Sequence, residues 1–411
     1  MEPGTGKTLT AITAANEIDA ERILVVCPVS AIGVWEHELF EERQFAFIPE
    51  GTRTEKSWVI ENAGRWLILN YEALLSPAVE KAVQKWGPSL VIIDESHKIK
   101  TATARRSRVL HRLTKGRRTF LLSGTPITRN LLDLYSQYKA IDPGIWDNKP
   151  WTKFRYRYAR YGGYMNKEII GYQNVAELKR RIRTYSFILR KEDALELPPW
   201  IDQIVPVRLS PVEWKRYTDL VDGGLWGDKP VKNPLERALR LQQLVGRFKH
   251  EATVDTVREL LEADQKVLVF YRFRDEGKAL ARALFPTIGY ELHGDVPAKA
   301  RTERVAAFQA HDGPAVFLAQ ISAGSVAISL TAASEVVYHS LSWAYEDYVQ
   351  SRDRVHRIGQ DRPVTYRHMV AVGHEHQRTI DSLVLRALQT KKDVAAMIVA
   401  DPSLLDYTER N

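Results

Sequence analysis

Cysteine is nearly absent from this 411-residue sequence. The single one, Cys27, has no internal partner, which excludes a disulfide framework and points to a reducing, cytoplasmic setting. Long apolar runs are missing too: those present, such as Leu90–Ile93 and 267–270, are short, far below the roughly 20 residues needed to cross a bilayer. Neither a membrane span nor a secretory leader is expected. No repeat of fixed period and no low-complexity tract appears. Acidic residues are scarce in one place, residues 149–191, where only Glu168 and Glu177 stand against twelve Lys and Arg.

What remains is the composition of an ordinary globular protein, 44% hydrophobic and 27% charged, with length for two or three domains. The formal net charge is +8, so the excess of +10 within 149–191 leaves the rest of the chain slightly acidic. Nine aromatics interleave with those cations, among them Trp151, Phe154, Tyr156, Tyr158, Tyr161 and Tyr164. The mixture suits phosphate contacts with stacking between them, and equally a solvated helical face.

Short buried-strand runs alternate with helical stretches through both halves. Strands are expected over 22–27, 66–70, 90–94 and 118–123, then over 266–271, 315–319, 335–339 and 364–370. This is the grammar of an α/β protein whose parallel sheets carry helices on both faces. Two such domains follow, with their junction in the proline-punctuated stretch 198–234. A helix is expected over 377–387, with Ile380, Leu383, Val384 and Ala387 on its packed face.

Four strings carry chemistry. Gly4-Thr5-Gly6-Lys7-Thr8 opens a helical stretch. Its glycines would let backbone N–H groups close on phosphate oxygens, Lys7 would reach the β and γ phosphates, and Thr8 would hold magnesium; a plain tight turn has the same composition. The apolar run 90–93 ends in Asp94-Glu95-Ser96-His97. Asp94 suits magnesium and Glu95 suits a general base for water, because adjacent carboxylates serve one site only where the strand ends and the backbone turns. Ser123-Gly124-Thr125-Pro126 could relay between that acidic pair and a neighbouring site, or form an ordinary turn. In the string 350–360, Arg354 and Arg357 stand three apart and would share one face of a helix, where they could stabilise charge on a γ phosphate. An exposed basic helix reads the same way.

In this order the motifs resemble the superfamily-two helicase-like ATPases, and within them the Swi/Snf type of double-stranded DNA translocase. Further residues are similar to that branch: Val26-Cys27-Pro28-Val29-Ser30 followed by Trp35-Glu36-His37-Glu38, Pro126-Ile127-Thr128-Arg129-Asn130, Ile188-Leu189-Arg190-Lys191, Leu292-His293-Gly294 and Leu330-Thr331-Ala332-Ala333. The resemblance covers nearly the whole chain. It implies two RecA-like lobes of the P-loop NTPase type. Residues 1–197 would form lobe one, 198–234 a linker, and 235–411 lobe two with a C-terminal bracing helix.

By the same resemblance, ATP and magnesium would bind at Gly4, Thr5, Gly6, Lys7, Thr8 and Asp94. Glu95, Gln350, Arg354 and Arg357 would be catalytic, and Ser123, Thr125 and His97 would couple the site to DNA. Double-stranded DNA would meet Pro28, Val29, Ser30, Ser322, Gly324 and Thr331, through contacts to phosphate that carry little base specificity. A working monomer is implied; the chain's compactness favours a bacterial or phage-infected cytoplasm, with roles in replication, recombination or repair. Ala327 and Ser329 stand where the family has glycine and asparagine. The family's first strand and its adenine-reading glutamine lie ahead of the phosphate loop, so the expectation is an N-terminally truncated form. A strand-separating helicase, or a nucleic-acid-binding module without ATPase activity, are the alternative readings.

Overall fold

The computed structural model describes residues 1–2, 4–128, 130–162, 168–223, 225–226, 229–231, 233–284, 289–322 and 328–390. They fall into two units, Met1–Leu195 and Glu196–Asn411. In the first, β1 (Ile23–Cys27), β2 (Ala46–Phe47), β3 (Trp66–Asn70), β4 (Leu90–Ile93) and β5 (Arg118–Leu121) pair in the order β2-β3-β1-β4-β5. Every pairing is parallel.

Alternation along these strands explains their unbroken apolarity. Leu24, Val26, Leu69, Val91 and Ile93 pack on one face against Val79, Val83 and Leu110 of the helices Pro77–Trp86 and Arg105–Thr114. Val25, Cys27, Ile68 and Ile92 pack on the other, against Ile12 and Ala15 of the helix Lys7–Glu17 and Trp35 and Leu39 of the helix Ile32–Glu41. A parallel sheet covered on both faces buries successive residues alike, so no polar alternation shows in the sequence.

The basic stretch forms its own small core. Tyr135, Trp146, Phe154, Tyr158 and Leu178 pack together, with the Trp146 and Phe154 rings edge to face at 4.7 Å. Helices Trp151–Tyr158 and Val175–Arg183 flank the antiparallel pair β6 (Ala159–Gly162) and β7 (Glu168–Tyr172). Several of the interleaved aromatics are therefore interior.

The second unit begins with β8 (Trp200–Arg208) and a minimal hairpin of β9 (Leu225–Trp226) and β10 (Lys229–Pro230). It continues through β11 (Lys266–Tyr271), β12 (Gly289–Leu292), β13 (Ala315–Gln320), β14 (Glu335–Tyr338) and β15 (Val364–Val372). A six-stranded sheet has the order β12-β13-β11-β14-β15-β8, with all pairings parallel. The stretch 198–234, expected as a linker, belongs to this unit: β8 pairs with β15 over nine residues, and Trp214, Tyr217 and Leu220 enter its core. The prolines that suggested a linker are compatible with that role, since Pro206 lies on an edge strand, where a missing N–H is tolerated. The last helix among the described residues runs over Ile380–Gln389, starting at 380 because the Thr379 hydroxyl accepts a bond from the Asp381 N–H. Among the described residues no helix is long and apolar enough to cross a membrane.

Candidate functional site

In the first unit the expected site residues gather at the carboxyl ends of the strands, the edge where open α/β sheets place ligands. Gly4 and Gly6 both adopt left-handed backbone conformations, φ 79° and 78°, and Gly6 caps the helix Lys7–Glu17. A Cβ on Gly6 would meet nothing within 4 Å, so its need for glycine is one of backbone conformation and not of space. Local bonds hold the turn: Thr5 Oγ1 donates to the Glu2 carbonyl at 2.7 Å and Lys7 Nζ donates to it at 3.1 Å. Glu2 is tied in turn to residues 189–191, donating its N–H to the Leu189 carbonyl at 3.0 Å and accepting the Lys191 N–H on its carboxylate at 2.8 Å. Thr8 lies half-buried in the first turn of the helix.

At the end of β4 the chain turns abruptly, with Glu95 in the left-handed region at φ 48°. That turn lets two consecutive carboxylates take different places. Asp94 is buried, and both its oxygens are held: Trp35 Nε1 donates to Oδ2 at 3.0 Å and the Glu95 N–H donates to Oδ1 at 2.9 Å. Burial pushes its pKa above the carboxylate range, opposed by the Trp35 bond, the Lys7 ammonium, the Glu95 N–H and His97. The Lys7 ammonium thus acts electrostatically on Asp94, which joins two motifs of the sequence. Each Asp94 oxygen keeps a lone pair after these bonds. Among the described residues there is no cluster of three or more His, Cys, Asp or Glu for a metal, so the donor set fits a magnesium ion held by one carboxylate, a hydroxyl and substrate phosphates, and not a protein cage.

Glu95 is partly exposed, with Oε2 at 3.3 Å from Nδ1 of the buried His97. The same nitrogen lies 3.4 Å from Ser123 Oγ, which accepts the Thr125 N–H at 3.1 Å. A continuous polar path therefore runs from Glu95 through His97 to Ser123 and Thr125. Gln137 braces it, accepting from Ser96 Oγ at 2.9 Å and donating to the Pro126 carbonyl at 2.7 Å. Cys27 lies beside this site but is buried, and burial together with Asp94 pushes its thiol pKa far up, which leaves it an apolar filler. The site residue with the weakest signal in the sequence is Trp35. It stands there only as part of a Trp-x-x-Glu string, and nothing in its spacing announces a bond to Asp94.

In the second unit the structure corrects one expectation. The helix Tyr345–Arg352 carries Gln350 but ends before Arg354 and Arg357, which lie in successive turns closed by Gly359 at φ 92°. Past the helix end the backbone tightens into turns, with the Val355 N–H reaching the Arg352 carbonyl three residues back at 3.1 Å. Arg354 and Arg357 are half-buried, and burial lowers the Arg357 pKa. Gln360 bolts the segment down, its amide donating to the Thr331 and Ala333 carbonyls at 3.1 and 2.9 Å.

The residues expected to meet DNA are divided. Pro28, Val29 and Ser30 follow β1 at the carboxyl edge, and Val29 is exposed. Ser322 is exposed just past the carboxyl end of β13, whereas Thr331 precedes the amino end of β14, its hydroxyl accepting from Gln309 at 3.1 Å. Gly324 and Arg129 lie outside the described residues. In the basic stretch, Arg157 and Arg181 are spent on Glu177, with ion pairs of 2.8 Å each, while Lys179, Arg180 and Arg183 stay exposed.

A phosphate-loop helix opposite an Asp-Glu strand end, followed by a second parallel-sheet unit with an arginine-bearing turn, defines a helicase-like ATPase. Residues 1–259 match the SNF2-related domain, and residues 252–359 match the helicase conserved C-terminal domain. The chain belongs to the SNF2 family. It is 29% identical over 423 residues to the DNA annealing helicase and endonuclease ZRANB3 of Mus musculus, covering 96% of this chain and 38% of that protein. It is 28% identical over 433 residues to an uncharacterized ATP-dependent helicase of Mycoplasma pneumoniae, covering 97% and 40%. The chain thus spans about two fifths of the length of these relatives. Among solved structures, the Sulfolobus solfataricus SWI2/SNF2 ATPase core in complex with dsDNA is 23% identical, with a TM-score of 0.41 and coverage of 97% of this chain and 87% of that one.

Proposed function

We propose that the chain is a DNA-dependent ATPase that translocates on double-stranded DNA, serving replication, recombination or repair. The observation that carries the reading is that the Lys7 ammonium acts on the buried Asp94 carboxylate at the end of β4, where the next residue, Glu95, pairs with His97. The N–H groups at the start of the helix Lys7–Glu17 and the Lys7 ammonium bind the β and γ phosphates of ATP. Thr8 and Asp94 would hold magnesium, which supplies neutralisation of phosphate charge when bound. Glu95 orients the attacking water and takes its proton, with His97 fixing the carboxylate. Ser123 and Thr125 report the state of that path to the DNA-facing residues. Arg354 and Arg357 of the second lobe supply positive charge to the γ phosphate during turnover, and Gln350 acts beside them through its neutral amide. Pro28, Val29, Ser30 and Ser322 take the DNA backbone, Gly324 and Thr331 join them as the coupling segment, and the exposed cations of 149–191 add affinity without base reading.

The test is ATP turnover with and without duplex DNA, beside Glu95→Gln. Stimulation by DNA that falls by about 10²–10⁴-fold in Glu95→Gln is expected. Turnover indifferent to DNA, or undiminished in that variant, overturns the reading. Displacement of a triplex third strand, set beside unwinding of a fork, separates translocation from strand separation.

A further inference from the structure

The segment bearing Arg354 and Arg357 is fastened to the strand by which the chain enters the second unit. Arg352 is the fastener. Its guanidinium lies 4.2 Å from the ring centroids of both Trp200 and Tyr366 and 5.5 Å from that of Tyr348. Nη1 donates to Asp202 Oδ1 at 2.8 Å and to Tyr348 Oη at 2.9 Å. The Arg352 carbonyl is taken as well, by the Tyr366 hydroxyl at 3.0 Å. Asp202 is shared with His368 at 3.2 Å. Burial opposes its ionisation, but His368 and Arg352 hold its carboxyl below the usual range.

A second tie runs parallel to the first. The His356 ring donates through Nε2 to the Pro198 carbonyl at 2.8 Å. Beyond it, the Leu330 N–H donates to the Arg354 carbonyl at 2.8 Å, and Gln360 reaches Thr331 and Ala333. Residues 198–202, 352–360 and 330–333 therefore form one bonded body. Pro198 is only the third residue of the second unit, so displacement carried along the peptide from the first unit meets this body before any other part of the sheet. An arginine suits the post better than a lysine, since a planar cation can stack on two rings while its N–H groups stay paired.

We propose that Arg352 is a positioning residue. With Asp202, Trp200 and the His356–Pro198 bond, it couples the chain's passage between lobes to the placement of Arg354 and Arg357, and so couples ATP hydrolysis to advance along DNA. The inference rests on the function proposed above for Arg354 and Arg357.

The experiment compares the full chain with Arg352→Met and Arg352→Lys by three readouts. Amide hydrogen exchange should rise in 353–360 and 198–202 of Arg352→Met and stay unchanged in the first unit. The ratio of DNA-stimulated to basal ATP turnover should fall on the order of tenfold, the scale of a misplaced catalytic group. ATP consumed per third strand displaced from a triplex should rise. Neither ratio depends on the fraction of protein folded, so a merely structural residue would leave both alone. Arg352→Lys, which keeps the cation over the rings, should recover part of each. Unchanged exchange at 353–360 overturns the fastening; raised exchange with wild-type ratios overturns the positioning role. A wild-type chain with no DNA-stimulated turnover refutes the proposed function and with it the coupling.

Discussion

Replacing Trp35 by Phe removes the Nε1–H bond to Asp94 Oδ2 from a buried pair, and its effect should depend on pH in a defined direction. Two contributions separate. Lost packing costs roughly 1–3 kcal/mol and does not vary with pH. The hydrogen bond is worth about 1.5–3 kcal/mol to an ionised acceptor and about 0.5–1.5 kcal/mol to a neutral one. Burial raises the Asp94 pKa above its unfolded value, so its ionisation already subtracts stability as pH rises through the folded pKa. Without Trp35 that pKa rises further. The stability gap between Trp35→Phe and wild type should therefore be smallest in acid, where Asp94 is protonated in both, and about 1–2 kcal/mol wider above the titration. Denaturant unfolding at a series of pH values measures the gap, and the acidic limb of ATP turnover should move to higher pH with it. A gap that stays constant across pH refutes the argument, because only packing would then have been lost.

Gly6→Ala places a side chain at φ 78°, costing about 1–2 kcal/mol with no clash to relieve; ATP binding measured by titration should weaken, and Gly6→Asn should weaken it less. Lys179→Glu with Arg180→Glu, both exposed, should lower DNA affinity and flatten its salt dependence by up to about 0.9 in log–log slope for each phosphate no longer neutralised, whereas Arg157→Glu should register first in melting temperature, since Arg157 is bound to Glu177. Lys249→Met strips Asp381 of a buried partner at 2.6 Å and should cost about 3–5 kcal/mol in denaturant unfolding, much of it recovered in Lys249→Met/Asp381→Leu.

The central strands were legible because each is an apolar run bounded by turns, and β1, β3, β4, β11 and β13 lie where periodicity put them to within a residue or so. β8 was not legible: its exposed edge gives it a mixed pattern, and Pro206 interrupts it. Lys7 and the Asp94–Glu95 pair could be read from local strings because phosphate loops and strand-end acids are local devices. The helix end before Arg354 could not, since neither glycine nor proline stands between 350 and 358 to mark it. The Trp35–Asp94 bond spans 59 positions and the Arg352–Asp202 pair 150; bonds at such separations come from packing, and no single-sequence spacing encodes them. The basic stretch misled in part for the same reason, as its charge count includes arginines already committed to Glu177.

The pairing of β8 with β15 sets where this molecule can be cut. A C-terminal fragment begun at the family boundary near residue 252, or at 235, would leave behind all nine residues of β8 and uncover the whole flank of Val364–Val372. That flank would then offer a row of unpaired backbone groups beside Tyr366 and His368, a template to which another chain can add. A fragment meant to stay single in solution has to begin ahead of Pro198.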